Sequence, residues 1–209
     1  METAFRSDER FTQEQFWDWL DGVPANDLHR YELLGGRIVM TPPAGWGHGY
    51  IEANLGMRIT LHVRERGLGR TLGSSAGYDL PTGDTLEPDF SYISKERWGP
   101  GPKVRKDGKG FLAAVPDLVV EILSPSTARR DRTEKKDAYA QSGVDEYWIV
   151  DAAKRCVLVF SREGDTFGAP ETISADAVRS RLLPDLHVTI EEIFGDLATS
   201  DDDSFEEPS

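Results

Sequence analysis

An apolar segment with one carboxylate near its centre constrains the fold of this chain more than any other feature. Residues 118–123 read Leu-Val-Val-Glu-Ile-Leu and are apolar except for Glu121. Continuous apolar runs of this length are typical of strands that are covered on both faces of a sheet. Burying an unpaired carboxylate costs several kcal/mol, so Glu121 requires a cation or close hydrogen-bond donors. The segment therefore predicts a central strand, with a candidate functional group at Glu121.

The composition is typical of one soluble globular domain. Of the 209 residues, 38% are apolar and 29% are charged, proportions that suit a folded protein with a core. No apolar run approaches the ~20 residues that span a bilayer, and the polar N-terminus lacks the apolar core of a signal peptide. Cys156 is the only cysteine, which excludes an internal disulfide and suits a reducing compartment. We expect a cytoplasmic protein with no membrane partner and one domain over residues 1–198.

The charge of the chain is unevenly distributed. The formal net charge of -13 argues against binding nucleic acid through the overall electrostatic field. Residues 199–209 hold five acidic and no basic residues and are predicted to be a disordered acidic tail. By contrast, residues 95–109 and 129–136 are rich in lysine and arginine. Each stretch could be an ordinary solvated surface, and the two together could form a basic lip beside a site.

The order of predicted elements indicates a mixed α/β fold. Thr12 and Gln15 resemble a capping box at the start of a helix, and two short apolar runs, 31–34 and 37–40, flank Gly35-Gly36 as in a hairpin. The remaining pattern predicts helices at 50–66, 128–142 and 190–194, strands at 70–80, 86–93, 146–150 and 156–160, and a loop at 99–110. Such an order predicts a mixed sheet with helices packed on it.

A partner for Glu121 has to come from another element. Asp117 lies four residues earlier on the same strand, about 13 Å away at ~3.3 Å per residue. Oxygen ligands lie roughly 2.0–2.6 Å from an ion, so Asp117 cannot share one with Glu121 and is interpreted as a strand-start residue. Asp89 opens another apolar run, on a strand that could lie beside Glu121. One Asp and one Glu can hold Mg²⁺ and leave positions for water.

The residue types suit phosphodiester hydrolysis. This reaction needs an activated water, a cation at the phosphate and a positive group for developing charge. Asp89, Glu121 and Lys135 supply such a set, although structural ion pairs would use the same residues. An acyl-transfer enzyme using Ser124 or Ser126 is disfavoured, because neither serine lies in a Gly-x-Ser-x-Gly turn.

Several segments, in order and spacing, resemble the Uma2 family of putative endonucleases, within the PD-(D/E)xK restriction-endonuclease-like superfamily. The matching pieces are residues 31–40 (YELLGGRIVM), His48, residues 88–90 (PDF), residues 116–126 (PDLVVEILSPS), Asp131, Lys135, Tyr139 and residues 143–151 (GVDEYWIVD). The resemblance implies a restriction-endonuclease-like mixed central sheet flanked by helices. It also implies an endonuclease that hydrolyses DNA with Mg²⁺, for which Mn²⁺ could substitute.

The resemblance implies a metal site built from Glu32, Asp89 and Glu121. Asp89 and Glu121 would be direct ligands, and Glu32 would bind the metal or orient water. In the superfamily the lysine lies two residues after the second acid, where this chain has Leu123. The resemblance therefore points to Lys135, on the following helix, as the catalytic lysine.

Helix geometry favours Lys135 over its neighbour Lys136. Consecutive helix positions point about 100° apart, so both lysines cannot serve equally. Asp131, Lys135 and Tyr139 are spaced four residues apart and therefore lie on one stripe of the helix. Tyr139 is more simply interpreted as a core residue than as part of the site. For His48, helix capping or backbone bonding and a role near the phosphate both stay open.

A catalytically silent nuclease-like domain, used for binding or assembly, is the alternative function. The complete set of Glu32, Asp89, Glu121 and Lys135 favours an enzyme over that alternative. Cleavage of both strands by a domain with a single site would suit a two-fold homodimer.

Overall fold

The computed structural model of the chain describes residues 5–99 and 111–197. The helices are α1 Gln13–Leu20, α2 Trp46–Arg66, α3 Lys95–Trp98, α4 Ala128–Arg130, α5 Lys136–Ser142 and α6 Ile190–Phe194, and a π-helical segment, Asp131–Lys135, joins α4 to α5. The strands are β1 Arg30–Leu34, β2 Arg37–Thr41, β3 Gly69–Gly73, β4 Tyr78–Asp79, β5 Thr85–Leu86, β6 Phe90–Ser94, β7 Leu118–Ile122, β8 Glu146–Asp151, β9 Cys156–Glu163, β10 Thr166–Phe167, β11 Glu171–Ile173, β12 Ala177–Val178 and β13 Val188–Thr189. Within these ranges, no helix is long and apolar enough to cross a membrane. The predicted acidic tail, and the predicted loop apart from Gly99, lie outside the described residues.

The central sheet is mixed and has β7 in its interior. Its strand order is β10-β9-β8-β7-β6-β3, and β11 also pairs with β9. β7 is parallel to β8 and antiparallel to β6, and all five of its residues are buried. The predicted central strand and mixed sheet are therefore confirmed.

The two faces of β7 pack against different helices. Leu118, Val120 and Ile122 belong to the core that contains α2 and α6. Val119 belongs to the second core, together with Tyr139 of α5. Because side chains alternate along a strand, Glu121 lies on the α5 face with Val119. This alternation aims the carboxylate at the helix that carries Lys135.

A smaller sheet carries the early hairpin. Its strand order is β2-β1-β5-β4, and Glu32 on β1 pairs with Val39 on β2. The turn between β1 and β2 is Gly35-Gly36, with φ of 59° and 71°, as a two-residue hairpin turn of type I′ requires. The predicted capping box starts α1, which packs on this hairpin through its buried Phe16.

Two of the predicted strands are each divided between the sheets. The interval 70–80 contains β3 in the central sheet and β4 in the smaller one, and 86–93 covers β6 and the end of β5. The chain stays largely buried from β5 into β6. The hydropathy of the sequence therefore does not show that the chain leaves the smaller sheet and enters the central one. The helix predicted over 50–66 begins earlier, at Trp46. Gly47 and Gly49 favoured a loop in the prediction, but glycines are also tolerated in the first turn of a helix.

The helix predicted over 128–142 contains a π-helical turn. This turn spans Asp131–Lys135, and Gly143 ends the helix with φ 93°, in the left-handed conformation that glycine adopts readily. π-helical turns are rare and are frequently found at functional sites. Both end residues of this turn, Asp131 and Lys135, are 2% exposed. The turn therefore presents a carboxyl group and an ammonium group to the protein interior.

Candidate active site

A cavity of about 190 Å³ opens where β6 begins and β7 ends. Its polar wall comes from β1, the start of α2, β7 and the π-helical turn. The charged and titratable residues that line it are Arg30, Glu32, His48, Asp89, Glu121, Arg130, Asp131 and Lys135. All four residues predicted for catalysis are thus brought together around one space.

Strand register places Asp89 beside Glu121. Asp89 directly precedes β6, and Phe90 pairs with Val120, the residue before Glu121. The backbone N–H of Ile122 donates a hydrogen bond of 2.8 Å to Oδ2 of Asp89. The predicted proximity of the two acids on neighbouring strands is confirmed.

Asp117 lies at the opposite end of β7, where its carboxylate makes other contacts. Its Oδ2 accepts a hydrogen bond of 2.7 Å from the backbone N–H of Ser94, and its Oδ1 lies 3.3 Å from Nε of Arg97. Arg97 also pairs with Asp145. These contacts tie α3 to the strand ends, which confirms Asp117 as a strand-start residue outside the site.

Lys135 joins two of the predicted acids. Its Nζ lies 2.8 Å from Oε1 of Glu32 and 2.6 Å from Oε1 of Glu121. Lys136 points elsewhere, with its Nζ 5.4 Å from the centre of the Phe160 ring. Lys135, and not Lys136, therefore lies among the predicted acids, and its ammonium supplies the cation that buried Glu121 requires.

Tyr139 contacts the site as well as packing in the core. It is fully buried, and its hydroxyl donates a hydrogen bond of 2.9 Å to Oε1 of Glu121. Tyr139 therefore packs in the core, as the sequence favoured, and also touches the site, the alternative that the sequence left open. Burial and Glu121 both raise the pKa of Tyr139, so the phenol keeps its proton and remains a donor.

Asp89 is held by two side-chain cations, one of which the pattern analysis missed. Nη1 of Arg30 lies 2.9 Å from Oδ1, and Nε2 of His48 lies 3.0 Å from Oδ2. His48 does not cap α2, whose N-cap is Gly45; it contacts the acid. Arg30 lies two residues before Glu32 and therefore on the same face of β1, a signal that could have marked it as a neighbour of Glu32 but not as a partner of Asp89.

These contacts keep Asp89 ionised. Burial opposes the charged carboxylate, but His48, Arg30 and the Ile122 N–H outweigh it and lower the pKa of Asp89 to about 2. Burial likewise opposes a charged imidazole, and Asp89 outweighs it, so the pKa of His48 is raised. The contact therefore favours the protonated imidazole and the ionised carboxylate together.

The acids around Lys135 compete for one ammonium. Burial opposes the charge of Lys135, but Glu121, Glu32 and Asp131 outweigh it and raise its pKa. Burial raises the pKa of Glu121 well above its ordinary value; Lys135 opposes that rise, and neighbouring acids, Asp89 among them, add to it. Lys135 therefore carries a positive charge at neutral pH, and Glu121 is the acid whose ionised form depends most on a nearby positive charge.

The donor set suits a hard cation such as Mg²⁺, which prefers carboxylate oxygens and water. Within the described ranges, however, no three His, Cys, Asp or Glu side chains are grouped so that they could hold an ion. The carboxylates instead contact Lys135, Arg30 and His48. Asp89 and Glu121 could hold Mg²⁺ together with water, because two carboxylates are often sufficient.

Glu87 is a further carboxylate that the pattern analysis did not identify. Its backbone N–H donates a hydrogen bond of 2.8 Å to Oε1 of Glu32, and its own carboxylate lies 3.7 Å from Nε of Arg30. Burial, reinforced by the charge of Glu32, raises the pKa of Glu87 from 4.5 to about 7.

We expect Glu87→Gln to be stabilising at pH 8 and nearly neutral at pH 4.5. An acid with a raised pKa in the folded state destabilises that state progressively between its unfolded and folded pKa values, here from about 4.5 to about 7. The full effect is about 3 kcal/mol, at 1.36 kcal/mol per pKa unit. Urea unfolding of metal-free wild type and variant at both pH values measures it. An equal difference between the two proteins at both pH values would contradict the assignment.

The predicted basic lip is only partly present. Arg130 and Lys135, from the stretch 129–136, line the cavity, whereas Arg132 binds Asp151 with an Nη2–Oδ2 distance of 2.7 Å. In the stretch 95–109, Arg97 lies with Asp117 at the far end of β7, because β6 carries the chain away from the site before α3 begins. Residues 100–109 of that stretch lie outside the described residues.

Of three comparisons with known proteins, two found a match to the chain and one found none. The model of the Uma2 family, described as "Putative restriction endonuclease", matches residues 13–191. The fold is similar to that of a putative nuclease belonging to DUF820 from Anabaena variabilis, with a TM-score of 0.70, 20% identity, and coverage of 88% of this chain and 97% of that one. At this identity the likeness concerns the fold, and it confirms the predicted fold class. No curated protein matches the chain.

Proposed function

The chain belongs to the Uma2 family of putative restriction endonucleases, and on that premise we propose that it is a metal-dependent endonuclease that hydrolyses DNA phosphodiester bonds. One observation carries the proposal. Nζ of Lys135 lies within 2.8 Å of both Glu32 and Glu121, and Asp89 lines the same cavity. A structural ion pair alone would not need a second and a third acid beside it.

Mg²⁺ is the proposed metal, Mn²⁺ the proposed substitute, and Asp89 and Glu121 the proposed ligands. When bound, the ion would supply a Lewis acid for a phosphate oxygen and would lower the pKa of a bound water. Arg30 and His48 position Asp89 and keep it ionised. Glu32, which accepts hydrogen bonds from Lys135 and from the Glu87 N–H, holds the ammonium in place. Its part in binding the metal stays a prediction.

Lys135 acts as a cation and not as a base in this proposal. Its raised pKa leaves no lone pair at neutral pH to abstract a proton. A fixed ammonium can orient an attacking water or stabilise the negative charge that develops on the phosphate. Hydrolysis joins the water oxygen to phosphorus and breaks one ester P–O bond. One hydrogen of the water ends on the alcohol, and the other is released as a proton.

Cleavage assays on supercoiled, linear and single-stranded DNA test the proposal. We expect wild type to cleave with Mg²⁺ or Mn²⁺ and EDTA to abolish cleavage. Asp89→Asn should weaken metal binding and cleavage together, by about 10- to 100-fold or more. Asp176→Asn is a suitable control, because Asp176 is exposed and does not line the cavity. Cleavage that persists unchanged in EDTA would contradict the metal dependence.

A catalytically silent domain is the second candidate function. The observation that favours it is that both Asp89 and Glu121 already contact side-chain cations, so an ion has to compete with them. The two candidates differ in calorimetry with Mn²⁺. No heat of binding, together with no cleavage of any nucleic acid, would favour the silent domain. The predicted homodimer stays a prediction under both.

A further inference from the structure

Two strongly exposed apolar side chains belong to segments that contribute to the cavity wall. Leu28 is 80% exposed and lines the cavity. Trp46, the first residue of α2, is 75% exposed and lies between Gly45 and His48, which both line the cavity. Exposing a tryptophan and a leucine this fully is unfavourable in water, and exposed apolar side chains grouped beside a polar site mark binding surfaces.

A second depression adjoins the cavity at Leu28. It has a volume of about 450 Å³ and shares Leu28 and Pro43 with the cavity wall. The cavity itself, at about 190 Å³, is small and charged. The two spaces together suit a ligand with a charged group and a flat apolar neighbour.

Arg130 provides a positive group on the cavity wall that the carboxylates do not fully use. One of its donors, Nη2, binds Oγ1 of Thr41 at 2.7 Å. Its Nε is buried without a hydrogen-bond partner in the part of the chain that the structure describes. Arg130 lines the cavity, and a guanidinium fits a phosphate well.

A duplex is a poor fit to this arrangement. Duplex DNA presents a charge every ~1.7 Å along its axis and is bound through broad basic faces, whereas this chain carries a net charge of -13. An unpaired nucleotide can instead present one phosphate to a small cavity and stack its base on an aromatic side chain.

We infer that the cavity mouth is a binding site for an unpaired nucleotide, with its base on Trp46 and Leu28 and its phosphate near Arg130. The inference rests on the proposed function and narrows its substrate class to DNA with a single-stranded or flipped-out segment. Trp46 and Leu28 determine this preference and belong to the substrate site, separate from the acids that would hold the metal.

Binding measurements test the inference without requiring catalysis. A fluorescent single strand and the matching duplex are titrated, with EDTA and again with Ca²⁺, while anisotropy is recorded. We expect wild type to favour the single strand. Trp46→Ala should raise the Kd for the single strand about 5- to 100-fold, the range for losing one stacked base, and Trp46→Phe should retain most of the affinity. Arg130→Gln should flatten the slope of log K against log salt by about 0.7, the share of one phosphate contact.

Met57→Ala is the matched control. Met57 is on the same helix, 58% exposed, and lies about 16 Å from Trp46 along the helix axis at 1.5 Å per residue. It should leave the Kd unchanged. Equal affinity for single strand and duplex, or an unchanged Kd in Trp46→Ala, would overturn the inference, even if wild type cleaves DNA. A change of oligomeric state in Trp46→Ala without a change in Kd would assign Trp46 to a subunit interface and also overturn it.

The two proposals fail in different ways. A preference for single strands that depends on Trp46, in a protein that cleaves nothing with any divalent ion, would support this site and contradict the nuclease. Cleavage of duplex and single strand with equal kcat/KM, insensitive to Trp46, would support the nuclease and contradict this site.

Discussion

Lys135→Met is expected to lower the unfolding free energy of the metal-free protein by about 3–5 kcal/mol, the range for removing one partner from a buried ion pair. Lys135 is 2% exposed, and its Nζ contacts both Glu32 and Glu121 at 2.8 Å or less. Methionine keeps most of the side-chain volume, so the loss arises from the charge. It leaves two buried carboxylates without their cation. Urea unfolding at pH 7.5 in EDTA measures the change.

Two further variants separate charge from packing. Lys136→Met removes the adjacent lysine, which lies over the Phe160 ring and outside the acid cluster, and should cost about 1 kcal/mol or less. Glu121→Gln combined with Lys135→Met should recover part of the loss, because one uncompensated carboxylate is removed. A double variant no more stable than Lys135→Met would contradict a charge-based origin.

Glu121→Gln is expected to reduce metal-dependent DNA cleavage by about 10³-fold, a typical effect of losing one group that stabilises charge in the transition state. The amide keeps the shape of the side chain, while the negative charge that would attract a divalent ion is lost. The unfolding free energy should change much less than the cleavage rate, because Lys135 keeps its contact with Glu32. Single-turnover cleavage rates and urea unfolding of the same preparations measure both quantities.

Asp117→Asn is the matched control for this variant. It removes a carboxylate from the start of the same strand, where Asp117 binds the Ser94 N–H and Arg97. We expect a loss of stability with a nearly unchanged cleavage rate per folded molecule. If Asp117→Asn and Glu121→Gln reduced the rate equally, the assignment of the site to the Glu121 end of β7 would be wrong.

Local patterns predicted the elements that position the site. The apolar run around Glu121 identified the interior strand, because a strand buried on both faces has few polar positions. Spacing along that strand excluded Asp117, and helix phase favoured Lys135 over Lys136. The likeness to Uma2 proteins then supplied Glu32, which no local spacing connects to Glu121.

The contacts that hold the acids could not be predicted from these patterns. Arg30 and His48 meet Asp89 only because β1, α2 and β6 converge at one point, and no sequence period joins residues 30, 48 and 89. Helix periodicity likewise predicted an uninterrupted helix over 128–142. A π-helical turn differs from an α-helical one only in its hydrogen-bonding partners, and these are chosen by the packing around Asp131 and Lys135.

Hydropathy and spacing along the chain thus sufficed for the type of each main element and for Asp89, Glu121 and Lys135 as candidates, whereas Glu32 came from the likeness to Uma2 proteins. These properties depend on neighbours within one strand or one helix. The partners of each charged side chain, its ionisation, and the exposure of Leu28 and Trp46 depend on how separate elements pack, since burial and charge act through space and not along the chain. The tertiary structure therefore determined that Glu121 contacts Lys135 and Tyr139, and that Asp89 contacts Arg30 and His48.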